Sequence, residues 1–220
     1  TPLYSSAASD VYKRQIQVQA LLGISDTTVT AIQGRLDTWL CNGYKEIVNI
    51  LPPYMYDSIA EESNVTDGTS LKNDLNTTKV LSVMRMSPDG YKQCRQVSSD
   101  MRGRIEDEDD LHYATTGDPA WFWGDQGSLT VKPNSPDILI RYINYPTTLD
   151  ASASNAVADL PNEAEPALVL YVAVKAGEYL LANEEDMELL GPIIGNLKDD
   201  YMRSVNALNG LTTTQQGARG

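Results

Sequence analysis

The spacing of apolar residues switches twice along this chain of 220 residues, and that switch limits its folds more than any other feature. Near the start the spacing is helical: Val29, Ile32, Leu36, Trp39, Leu40, Ile47, Val48 and Leu51 share one face, with Asp26 expected as the N-cap. Gly34 and Gly43 read as weak points, since glycine costs up to about 1 kcal/mol in a helix interior relative to alanine. Pro52-Pro53 ends this helix, and Pro53 can open a short second one through residue 61. Residues 63–78 are polar, with an Asp67-Gly68 turn, and read as a loop.

Beyond residue 79 the period falls to two. Strands are expected over 80–86, 91–97, 120–123, 128–132 and 138–145. Pro88-Asp89-Gly90 is a hairpin turn with a mechanism: proline sets the first φ and glycine accepts a positive one. Gly124-Asp125-Gln126-Gly127 reads as a second hairpin turn. The stretch 98–110 is polar and acidic. These pieces make about five short antiparallel strands, a small sheet or open barrel.

Helical spacing resumes after Leu160-Pro161-Asn162. Leu168, Val169, Val172, Ala176, Tyr179 and Leu180 form a core stripe within a helix over 163–183. Leu170, Tyr171 and Val174 extend apolar character around most of its circumference, as in a central or interface helix. Glu184-Glu185-Asp186 places negative charge at the start of the next helix, where the dipole favours it. Met187, Leu190, Ile194, Leu197, Tyr201, Val205 and Leu208 continue the pattern. Pro192 should kink or restart that helix, and Gly210 fits its C′ position.

The fold class that follows is α+β: N- and C-terminal helices packed as a bundle, with a small antiparallel sheet or open barrel inserted between them. The expected organisation is one domain over 16–210. It comprises N-terminal helices over 16–62, a strand block over 79–146 and a C-terminal helix pair over 160–209, followed by a flexible tail over 211–220. Residues 1–15 are set aside. The stretch 5–15 reads as the translation of a transposase adaptor used in sequencing libraries, and 1–4 fits an adaptor end with an index. The segment is therefore expected to be non-native and disordered, with the natural N-terminus lost.

Charge and cysteine usage narrow the function classes. The net charge is −13. The set-aside segment holds Asp10 against Lys13 and Arg14, so the remainder is one charge more negative. Such a field repels nucleic acid from most of the surface, although DNA could still slide past it. No apolar run reaches the length of a membrane span. Cys41 and Cys94 read as free thiols, one in a helix pattern and one in a strand pattern.

No catalytic or metal motif stands out. His112 is the single histidine, and its surroundings hold no triad pattern. One histidine and two lone cysteines offer no zinc spacing. Glu106, Asp107, Glu108, Asp109 and Asp110 could supply oxygens to calcium, but the run lacks the alternation and central glycine of an EF-hand loop. A solvated or interface-facing loop is the reading preferred. Trp121-Phe122-Trp123 is the densest aromatic cluster. Strand alternation sends the two tryptophans to one face and Phe122 to the other, so one face is expected to fill the core and the other to meet a neighbouring subunit. Neither a catalytic residue nor a cofactor is expected. The candidate interface residues are Trp121, Trp123, Tyr171, Tyr179 and the acids Glu106, Asp107, Glu108, Asp109 and Asp110.

A recognisable order of motifs begins at Tyr91. It runs Cys94-Arg95-Gln96-Val97, an acidic turn, Leu111-His112-Tyr113-Ala114-Thr115 and Asp118-Pro119-Ala120-Trp121-Phe122. It continues with Gly127-Ser128-Leu129-Thr130-Val131-Lys132-Pro133, Arg141-Tyr142-Ile143-Asn144-Tyr145-Pro146 and Asp159-Leu160-Pro161-Asn162. Over roughly 29–208 the chain resembles virion structural proteins of tailed bacteriophages, of the head-to-tail connector (adaptor or neck) type. The reading of 5–15 as a library adaptor agrees with a phage gene caught in community DNA. The resemblance implies a non-enzymatic ring component, commonly in twelve copies, that joins the portal protein to tail proteins in the virion. It further implies that DNA crosses the ring's channel without sequence-specific binding and that no membrane is involved. Two other readings are weighed beside it: a tail or baseplate component touching glycan through Trp121 and Trp123, and a hydrolase.

Overall fold

In a computed structural model of the chain, residues 6–66, 78–124, 127–146, 160–183 and 187–216 are described. They form α1 (Ser6–Leu22), α2 (Asp26–Ile50), a 3-10 turn (Pro53–Ser58), β1 (Glu61–Val65), β2 (Thr78–Ser87), β3 (Gly90–Gln93) and β4 (Arg95–Gln96). A second 3-10 turn (Ser99–Met101) leads into α3 (Arg102–Glu106), β5 (Ala120–Trp123), β6 (Leu129–Lys132), β7 (Ile138–Asn144), α4 (Glu165–Asn183) and α5 (Met187–Gln216). The protein is α+β, and its sheets are open rather than closed into a barrel. The chain divides into two compact units, Thr1–Ile59 with Pro146–Gly220, and Ala60–Tyr145.

In the helical unit α4 packs against α1, α2 and α5. This is why α4 is apolar on most sides: Leu168, Val172, Ala173, Ala176 and Leu180 are all buried. From α2 come Leu36, Leu40, Tyr44, Ile47 and Val48, and from α5 Leu190, Ile194, Leu197 and Leu208. Gly177 marks a close approach of α4 to α5 and α1, since a Cβ there would stand 2.8 Å from Ile194 Cγ1 and 3.2 Å from Leu22 Cδ2.

Four local expectations change. Ser25, not Asp26, caps α2: its backbone is extended and its hydroxyl accepts from the Thr28 amide at 3.3 Å. Of the expected kink or restart at Pro192, there is no restart: α5 is continuous through it, because it lies in the second turn and deletes a single helical hydrogen bond. The helix also runs through Gly210 to Gln216, where a flexible tail was expected, because nothing stops propagation once a helix is nucleated. Residues 217–220 of that tail lie outside the described residues.

The fourth change concerns 1–15. Residues 6–15 belong to α1, with Arg14 4% exposed and Gln15 buried. Val18 and Leu22 anchor α1, and extending an anchored helix backwards needs no new nucleus. Arg14 Nε then meets Glu165 Oε1 at 3.1 Å, and the Gln15 carboxamide donates to Asp37 at 3.3 Å. Nothing in the fold supports a library origin for these residues. Residues 1–5 lie outside the described residues, as do Asp67-Gly68, Asp125-Gln126, Asp159 and Glu184-Glu185-Asp186.

The strand unit holds two sheets. One is antiparallel in the order β1-β7-β2-β3, and the other is mixed, β4-β5-β6. Ser87 opposes Gly90 across the expected Pro88-Asp89 turn, with Gly90 at φ +105°. The expected strand over 91–97 breaks at Cys94. β3 stays with β2, whereas β4 pairs in parallel with β5. β1 takes the place of the end of the expected second helix at Glu61 and the start of the expected 63–78 loop. It is an edge strand paired only to β7, which the polar sequence EESNV can fill because it buries none of its residues. The core joins Val83, Cys94, Trp121, Leu129, Val131, Ile138 and Ile140. A smaller cluster of Ile105, Ala114, Ala120 and Phe122 lies on the opposite face of β5.

Candidate interaction surfaces

The acidic run 106–110 leaves the end of α3 as a turn tied to its own unit. Glu106 Oε1 lies 3.1 Å from Lys132 Nζ and 3.6 Å from Arg102 Nε. Arg104 Nε donates to Asp110 Oδ2 at 2.9 Å, and the His112 amide donates to Asp110 Oδ1 at 2.8 Å. These bonds hold the Asp110 carboxyl below its ordinary range, the Arg104 bond foremost. Asp107 accepts from the Asp109 amide at 3.1 Å, and Glu108 meets the Tyr113 hydroxyl at 3.5 Å. The five side chains thus look in several directions. Among the described residues no group of three or more His, Cys, Asp or Glu could hold a metal ion. Immediately after the run stands Leu111, 95% exposed.

His112 contributes backbone here. Besides its amide bond to Asp110, its carbonyl accepts from Arg95 Nη2 at 2.6 Å, and Arg95 also pairs with Asp118 at 3.0 Å. The two thiols are buried, and burial pushes both up to about 11.

The tryptophans alternate as the strand requires, but both faces of β5 are core. Trp121 is 5% exposed and Phe122 is buried on the other side. Trp123 is half-buried and meets Trp121 edge-on, with centroids 5.7 Å apart. Trp121 therefore fills the interior of its own unit, and only Trp123 keeps part of its ring accessible.

On the helical unit Tyr171 and Tyr179 of α4 are each half-buried among partners. Tyr179 lies against Trp39 at 5.9 Å, with Arg35 4.5 Å over its ring. Tyr171 meets Tyr201 at 5.9 Å. The Tyr201 hydroxyl donates to Glu46 at 2.8 Å, and burial together with that carboxylate holds the phenol well above its usual range. Glu178 takes Lys198 at 2.9 Å and Lys175 at 3.3 Å. Elsewhere on this unit an open groove of about 610 Å3 runs between α1 and α4, lined by Leu21, Pro166, Val169 and Leu170 among others. Leu170 is one of the residues that made α4 apolar all round; the groove is where that surplus surfaces.

The expected interface residues fall in different units: the acids and tryptophans belong to the strand unit and the tyrosines to the helical unit. Sequence reading missed Leu111, whose lone aliphatic side chain carries no periodic signal. It also missed Arg102 and Lys132, thirty residues apart in the chain and joined only by the fold. No described helix is long and apolar enough to cross a membrane.

Comparison with known families places the chain among bacteriophage structural adaptors. The match runs from residue 13 to residue 219 and is to the SU10 adaptor protein family, to which this chain belongs. It is thus a virion component that works against other virion proteins. A comparison with curated proteins finds no match.

Proposed function

We propose that this adaptor is a non-enzymatic neck component. Copies of it form a ring, of twelve by the resemblance, between the portal protein and the tail proteins, and DNA passes through the ring unbound. The two compact units work as one domain in this role. The observation that carries the reading is membership of a phage adaptor family over nearly the whole chain. The charge supports it: an excess of acids, 30 against 17 Lys and Arg, keeps a duplex from adhering to a channel wall. The candidate contacts are the accessible edge of Trp123, the outward acids Asp107, Glu108 and Asp109, and the faces around Tyr171 and Tyr179. Trp121 backs Trp123 from within the strand unit.

Co-expression with the portal protein of the same phage, followed by native mass spectrometry and electron microscopy, tests this. A ring of adaptor copies seated on the portal is the expected result. A chain that ignores the portal and binds tail-fibre or cell-wall glycan instead would overturn it.

A further inference from the structure

The strand unit contains a polar cleft of about 480 Å3, lined by Arg102, Glu106, Tyr113, Lys132, Pro133 and Asn134 among others. One oxygen, Glu106 Oε1, serves both cations, at 3.1 Å from Lys132 Nζ and a loose 3.6 Å from Arg102 Nε. Among the described residues Glu106 is the sole carboxylate that Arg102 meets.

A third cation stands behind the cleft. Arg85, 9% exposed, donates to the Pro133 carbonyl at 2.7 Å and to the Asn134 carbonyl at 3.0 Å. Its remaining bonds go to the Met86 carbonyl and the Ser87 hydroxyl. No described carboxylate pairs with it. A buried guanidinium satisfied only by neutral dipoles keeps its charge, and in a low dielectric that charge acts over a longer range. Two cations of the cleft therefore share one anion, with the Arg85 charge held behind the Pro133-Asn134 wall, in a chain whose net charge is −13.

We propose that this cleft is a carboxylate-binding site that receives a single Asp or Glu side chain from a partner protein, with Glu106 holding the position until the partner arrives. The alternative anion, a nucleic-acid phosphate, is disfavoured by the surroundings. Asp107, Glu108, Asp109 and Asp110 follow directly on Glu106 and repel a polyanion, whereas an isolated carboxylate on a short side chain can enter. Arg102 and Lys132 donate to it, and Asn134 also lines the cleft. Glu106 then competes with the ligand for the same two donors. The inference does not depend on a ring.

The test is an NMR titration of the full chain with a blocked pentapeptide carrying one central glutamate, run beside inorganic phosphate and a short DNA duplex. Shifts confined to Arg102, Glu106, Lys132 and Asn134 are expected, saturating with the glutamate peptide. Glu106→Gln should tighten peptide binding by about threefold or more, and Lys132→Gln and Arg102→Gln should each weaken it by about fivefold, as expected for loss of a charge-assisted bond. Three results would overturn the proposal: no localised shifts, Glu106→Gln weakening binding as the lysine variant does, or phosphate or DNA saturating the cleft below the peptide's concentration. Spectra of the variants that match the parent away from the cleft separate loss of binding from loss of fold.

Discussion

Gly43 of α2 and Tyr171 of α4 touch through the hydrogen of an absent side chain: a Cβ on Gly43 would stand 2.6 Å from Tyr171 Cδ1. Leu168 Cδ1 would be 2.8 Å away. The residue that weakens α2 by its propensity is what lets α4 dock. Gly34, in the same helix, meets nothing within 4 Å. Gly43→Ala should therefore destabilise the protein by about 1–3 kcal/mol through overpacking. Gly34→Ala should stabilise it by up to about 1 kcal/mol. Urea unfolding of the pair decides: equal or reversed effects would disprove the close approach.

Arg14 reaches Glu165 across 151 positions of sequence. Arg14→Ala should cost about 1.5 kcal/mol, the low end for a hydrogen bond to a charged group because the Glu165 side chain is 40% exposed. Removing 1–15 altogether should lower the melting temperature as well. A truncated chain that melts with the full one would show that this part of α1 adds nothing.

Asp110 gives a pH signature. Its folded pKa is depressed below the ordinary 3.8, by the Arg104 bond first and the His112 amide second. A depressed acid contributes stability above its ordinary pKa and loses that contribution as pH falls through the folded value. Carboxyl NMR should show Asp110 titrating below the ordinary aspartate value, and Arg104→Gln should move it upward. No movement would detach Arg104 from the turn.

Cys41 and Cys94 should resist thiol reagents in the native state. Both are buried, and with values pushed up to about 11 they hold almost no thiolate at pH 8. Slow native labelling, and immediate labelling of both in denaturant, is the expected pattern. Fast reaction of one at pH 8 would place it at the surface.

Leu111→Ser should leave stability within about 0.5 kcal/mol, since the side chain has no packing to lose. If the loop after α3 is a docking element, the same change should impair assembly with the portal protein. Full assembly by the variant would remove Leu111 from the interface.

Several elements were legible in the sequence for reasons that can be stated. The stripe from Ile32 to Leu51, the Pro88-Asp89-Gly90 turn and the apolar helix over 163–183 each carry a local signal: a period, a backbone constraint, or a length of unbroken hydrophobicity. β1 carries none, because an edge strand needs only its partner's hydrogen bonds and β7 lies some eighty residues away. Ile105 announced α3 poorly, being one buried residue in a five-residue helix.

Composition and spacing were enough for the class, two helical blocks around a strand block in an acidic chain, and the order of motifs carried the resemblance to phage adaptors. Which surfaces are free depends on packing. Trp121 proved to be core because β5 is covered on both faces, and Gly43 proved to be a contact because α4 crosses it. Arg102 of α3 and Lys132 of β6 became one site because both reach Glu106, with Arg85 of β2 bonded to the Pro133 and Asn134 carbonyls beside it. Period fixes which face of an element is apolar; what covers that face depends on residues far away in the chain, which no local spacing records.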